Sequence, residues 1–216
     1  MPRLSFENCV KVTRPDEKLS LEDKEFFNVK FIVKKSNDKF RSFHCNKFAL
    51  AAASPVFNKQ FFGSLKKKLE DENQEEKEEV INVEDVSMFA FNTFLQLLFL
   101  NEAVDPLQSV RRFRSLFEVL KIADMYCVED VKNLVVKRIE THVISEDNIL
   151  AAVNLTTEYG HLLPFESVCE SLMTRCCRSV GILWPTTQNF LFFCAENKKY
   201  KDLLNFLFTK VKNQLG

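Results

Sequence analysis

Phe43-His44-Cys45-Asn46-Lys47-Phe48-Ala49-Leu50-Ala51-Ala52-Ala53-Ser54-Pro55-Val56-Phe57 holds a strand end, a capped helix and a turn in one short stretch. Asn46 is a good N-cap, because its side-chain carbonyl can accept from a free amide of the first helical turn. Lys47 to Ala53 are mostly strong helix formers. That helix is predicted to stop at Ser54. Pro55 disfavours the α conformation at the residue before it, yet suits the first turn of a new helix carrying Val56, Phe57 and Phe61. Two short helices therefore meet at a sharp corner.

Upstream of this corner, Val29, Phe31 and Val33 alternate with Asn28, Lys30 and Ile32, a partly period-2 strand. Ser36-Asn37-Asp38 then supplies turn chemistry before Phe40 to Phe43, so a hairpin is expected. The first 25 residues are mixed and polar and read as an arm, in which Ser20-Leu21-Glu22-Asp23 has the spacing of a helix start. Downstream, Ser64 to Glu79 carries Lys66, Lys67, Lys68, Glu70, Asp71, Glu72, Glu75, Glu76, Glu78 and Glu79. No core could absorb that charge density, so the stretch is a solvated loop. Val80 to Val83 makes a short strand after it.

From Asp85 the pattern is helical almost to the end. Met88 to Leu100 leaves only Asn92, Thr93 and Gln96 as a thin polar stripe, which marks a central helix. The next helix puts Val110, Phe113, Phe117 and Leu120 inward and Arg111, Arg112, Arg114 and Glu118 outward. Cys127 to His142 continues with Val128, Val131, Val135 and Ile139 on one face. A boundary is expected at 143–144, after which Asn148 to Tyr159, Leu163 to Ser179, Gln188 to Ala195 and Lys199 to Asn213 read as two antiparallel helix pairs.

Composition sets the class. With 216 residues a compact chain buries roughly 70% of its unfolded surface. Hydrophobic content of 46%, 4 Gly and 22 Phe point to a helix-rich globular protein whose Phe residues are mostly core. Lysine and arginine balance aspartate and glutamate at 30 each, so no basic field gathers nucleic acid. No window approaches the roughly 18 apolar residues of a membrane span, and Met1 to Val10 lacks the apolar run of a signal peptide. Seven cysteines, an odd number without a Cys-x-x-Cys pair, fit free thiols in the cytosol or nucleus. Cys176 and Cys177 read as one inward and one outward helix position.

Catalytic parts are not expected. With 4 glycines there is no phosphate-cradling loop, and neither His-Glu-x-x-His nor Gly-x-Ser-x-Gly occurs. His142 lies on the apolar side of a helix end, where terminal carbonyls can satisfy it, and His44 and His161 read as surface residues. The acidic loop cannot hold a raised carboxyl pKa, which argues against general acid catalysis. No cofactor or metal is implied.

The opening stretch resembles the His-Lys-x-x-Leu-Ala-Ala-x-Ser-Pro-x-Phe signature of BTB/POZ domains through Lys47, Leu50, Ala51, Ala52, Ser54, Pro55 and Phe57, with Asn46 at the His position. Phe27 to Val33 looks like the family's opening strand, with Asn28 for its usual Asp. Asp85-Val86-Ser87 with Phe91, and Ala123-Asp124-Met125-Tyr126, look like its third helix start and its Ala-Asp-x-Tyr helix end. Residues 144–216 look like a BACK-type extension, from their helix pattern and from Glu146 to Asn148 with Tyr159. The resemblance implies an α+β fold, a small sheet packed among helices: an arm at 1–25, a BTB/POZ domain at 26–143 with a charged insertion at 64–79, and an all-helical extension at 144–216.

It also implies a non-enzymatic protein-interaction module. Such domains homodimerise, which places Leu19, Leu21, Asn28 and Lys47 at the dimer interface. In the speckle-type POZ and related adaptor branch they bind a cullin scaffold and recruit a target protein to a ubiquitin ligase, which places Phe62, Leu65, Lys67, Asp71 and Tyr126 at the cullin contact. The hydrophobic-x-Glu motif of that contact falls in ungapped register on Leu65-Lys66-Lys67, with Lys67 where the acid belongs; a shifted register uses Leu69-Glu70-Asp71. A self-associating scaffold or transcriptional co-regulator without cullin is the alternative, and a helical enzyme with an unfamiliar site is a third reading.

Overall fold

The computed structural model describes residues 6–14, 17, 19–34, 40–63, 78–99, 105–162 and 165–183. The described residues divide into two compact units, one within 1–111 and 115–135, the other within 112–114 and 136–216.

The first unit is built on a four-stranded sheet. Its strands are β1 (Val10–Thr13), β2 (Val29–Lys34), β3 (Phe40–Cys45) and β4 (Glu79–Val83), in the order β1-β3-β2-β4. β3 runs antiparallel to both β1 and β2, and β4 runs parallel to β2. The alternation read in the sequence holds: Val29, Phe31 and Val33 are buried, while Lys30, Ile32 and Lys34 lie on the other face. The arm is more structured than its polar composition suggested. It carries α1 (Phe6–Cys9), the edge strand β1 and α2 (Leu21–Phe26), whose N-cap Ser20 accepts from the Asp23 amide.

The corner is α3 (Lys47–Ala53) followed by α4 (Pro55–Phe62), with Asn46 and Ser54 as side-chain caps and Pro55 in the first turn of α4. Against the sheet's apolar face lies α5 (Met88–Leu98), whose Ala90, Phe91, Phe94, Leu95 and Leu97 are buried. Phe91 meets Phe31 at 5.2 Å and Phe43 at 5.3 Å between centroids, and Phe57 meets Phe31 at 5.7 Å, so aromatic rings form the centre of this core. α6 (Phe113–Met125) and α7 (Glu129–Thr141) follow, and the inward faces expected for them are buried. The expected turn at Ser36-Asn37-Asp38 lies outside the described residues, as do 64–77 of the charged insertion and the expected end of the central helix at Leu100.

In the second unit α8 (Glu146–Tyr159) packs on α9 (Glu166–Leu183). Ile149, Ala152, Val153 and Leu155 face Phe165, Val168, Leu172 and Met173 in an apolar seam. Arg175 donates to the carbonyls of Ile139 at 2.8 Å and His142 at 2.5 Å, and so closes the end of α7 with a charged donor. The His142 ring meets Phe113 edge-on at 4.6 Å. Cys176 is buried, and the side chain of Cys177 lies outside the described residues. The helices expected at 188–195 and 199–213 lie outside the described residues.

Candidate functional site

The start of α3 is held by two asparagines. The Asn46 side chain accepts from the Ala49 amide at 3.0 Å and donates to the Phe26 carbonyl at 2.9 Å. The Asn28 side chain accepts from the Lys47 backbone amide at 2.9 Å. Two free amides of the first turn are thus satisfied by side chains on different elements. The Lys47 ammonium lies 5.2 Å from the centroid of the Phe62 ring.

Phe62 in turn stacks on Phe48, with centroids 5.2 Å apart and planes 26° from parallel. Phe48 is 66% exposed and Phe62 40%. Two large rings in water at neighbouring helix ends, one under a cation, make this surface the candidate interaction patch. One turn along α3 from Phe48 stands Ala52, so the same stripe runs on into a groove of about 510 Å³. Ala49, Ala52 and Ala53 line it together with Leu97, Leu98 and Phe99 at the end of α5 and Val131 and Leu134 of α7; Asp130 is its acidic lining residue. Small side chains on α3 leave the space, and the bulky ones beside it keep it apolar.

The profile of the BTB/POZ domain matches residues 18–143, more than half of the chain. The chain belongs to the BTB/POZ family. A BTB domain of small mixed sheet and helices is therefore the core of this protein, and protein–protein interaction is its general role. No curated protein matches the chain.

The residues singled out in the sequence are placed as follows in this BTB protein. Leu19 is buried within the chain. Tyr126 is buried too: its ring stacks on Phe57 at 4.2 Å and Phe94 at 5.8 Å, and burial raises its phenol pKa. Lys47 and Phe62 remain at the surface, side by side. The side chain of Leu21, and all of Leu65, Lys67 and Asp71, lie outside the described residues. Phe48 was missed, because an aromatic second in a helix reads as core; its exposure follows from Ala49, Leu50 and Ala51 turning inward.

His44 corrects the surface reading. It is 4% exposed, not at the surface. Its Nε2 lies 2.9 Å from the Thr13 hydroxyl and its Nδ1 2.8 Å from a Glu78 carboxylate oxygen. Hydrolases join a hydroxyl, an imidazole and a carboxylate in this way. Here Thr13 is 3% exposed, so its hydroxyl offers no approach to a substrate, and the groove is lined by other residues.

Proposed function

We propose that this protein is a homodimerising BTB adaptor that joins a cullin-based ubiquitin ligase to a target protein, working in the cytosol or nucleus. The observation that carries the reading is the exposed Phe48–Phe62 stack, with the Lys47 ammonium over Phe62. It lies where the family resemblance puts the dimer contact at Lys47 and the cullin contact at Phe62. Rings left in water, where most of the described phenylalanines are buried, fit a surface covered by a partner.

Light scattering tests the dimer. At tens of micromolar the expected mass is twice that of the chain. Phe48→Asp should give a monomer that still unfolds cooperatively, since an acid in the first turn of α3 suits the helix dipole while the loss of the partner lowers the melting temperature. A monomeric mass for the unaltered protein would refute self-association.

A scaffold that self-associates without cullin is the second reading, favoured by Lys67 at the position of the motif's acid. A reversed charge at an interface can cost several kcal/mol. If Lys67 occupies the acid position, Lys67→Glu should strengthen cullin capture by about 1–3 kcal/mol while Asp71→Ala does nothing. If the shifted register applies, the two effects exchange. Absence of cullin binding by every one of these variants in a pull-down would leave the scaffold reading.

A further inference from the structure

Three side chains from distant stretches meet on the sheet face away from the Phe core. Thr13 ends β1, His44 is the fifth residue of β3 and Glu78 stands immediately before β4. A carboxylate can only accept, so His44 Nδ1 carries the hydrogen toward Glu78 and Nε2 accepts from the Thr13 hydroxyl. The neutral imidazole thus satisfies both neighbours.

A protonated one does not. Its Nε2–H requires an acceptor, and the Thr13 hydroxyl must turn and give up its own acceptor to become one. Among the described residues, the charged groups around His44 are Lys11 of β1 and Lys30 of β2, which flank it in register, and Glu78. Lys11 also holds Asp23 of α2 at 2.6 Å and keeps that carboxyl below its usual range. An added proton on this buried ring therefore finds one carboxylate, itself partly exposed, and two ammonium groups around it. Burial is the first cause of a His44 pKa below its ordinary value of 6.5; Glu78 opposes the shift, and Lys30 and Lys11 add to it.

β1 is the element that can yield. It has four residues and a single neighbour, whereas β3 and β2 are paired on both sides. Its departure would open the site to water and take Lys11 and Thr13 away from the new cation. We propose that His44 is an acid-sensitive latch whose protonation releases β1 from the edge of β3 while the β3-β2-β4 sheet stays folded. The sign follows from linkage: the opened state takes up the proton more readily, so closure is favoured fully above about pH 6.5 and weakens as the pH falls below it. This inference does not depend on the adaptor reading.

Hydrogen exchange by mass spectrometry on the full chain decides it, from about pH 7.5 to about pH 5 with intrinsic rates corrected. The expected result is a loss of protection of about tenfold or more in peptides covering 10–13, with peptides covering 29–34 unchanged. In His44→Gln, which keeps an amide donor and acceptor but cannot titrate, protection of 10–13 should be independent of pH. Should that variant fail to fold, an NMR titration of the unaltered protein replaces it. The His44 ring midpoint should then coincide with the loss of the β1 amides. Protection of 10–13 that is flat in the unaltered protein, that falls equally in His44→Gln, that falls together with 29–34, or that falls apart from the His44 midpoint would overturn the latch.

Discussion

Phe57→Ala is expected to destabilise the BTB domain by about 3–5 kcal/mol, a large part of the 5–15 kcal/mol that holds a typical domain folded. Phe57 is fully buried and sits at a meeting of rings: Tyr126 at 4.2 Å, Phe61 at 5.7 Å and Phe31 at 5.7 Å. Its place is fixed by backbone on two sides. The α3–α4 corner is locked by Pro55 and by the Ser54 cap, and Phe31 is tied into the middle of the sheet. A cavity with such walls collapses poorly, and the cost of a core truncation grows with the volume that stays empty. Urea denaturation should show a lower midpoint with an unchanged slope. A loss below about 1.5 kcal/mol would mean that the corner moves in to fill the gap, and that it is less rigid than its caps indicate.

How much of this was legible in the sequence depends on the distance over which each feature is decided. The corner is local: Asn46, Ser54 and Pro55 act within three or four residues of themselves, and the helices begin and end where those residues place them. The inward faces of α6 and α7 are periodic and were equally plain. β1 was not, because four residues carry too little pattern and its partner strand begins about thirty residues later in the chain. His44 fails for the same reason. A histidine in a strand looks solvent-facing until Thr13, 31 residues before it, and Glu78, 34 residues after it, are brought to its two nitrogens.

The candidate site was half legible. Lys47 and Phe62 were singled out separately, one for self-association and one for cullin, but their contact requires the α3–α4 corner to fold them together. Asn28 was placed at the dimer interface by analogy with the family's Asp. Its amide oxygen caps Lys47's own backbone, a use that position alone does not disclose. Tyr126 matched a motif, yet a motif match does not say whether a ring points to solvent or into the stack of Phe57 and Phe94.

Ser54→Ala is expected to cost about 2–4 kcal/mol, more than a helix cap alone supplies. Ser54 is 1% exposed, and its hydroxyl serves two groups at once. It accepts from the Phe57 amide at 3.2 Å, capping α4, and donates to the Tyr126 carbonyl at 2.6 Å. That carbonyl has a reason to need it. α6 ends in a Schellman turn, with Cys127 at a φ of 52°, the Val128 amide reaching back to Ala123 and the Cys127 amide to Asp124. These bonds satisfy carbonyls deeper in the helix and leave the Tyr126 oxygen pointing out of it, into the buried corner. Alanine at 54 strands an amide at one end and a carbonyl at the other, where water is excluded. Ser87→Ala is the comparison, because Ser87 caps α5 through the Ala90 amide but is exposed, and its other partner, Glu118, can turn to solvent. It should cost only about 1 kcal/mol. Equal losses for the two variants in denaturant melts would mean that the Ser54–Tyr126 bond contributes nothing. A gap of about 1–3 kcal/mol would measure that bond, which links α4 to the α6–α7 turn across 72 residues of sequence.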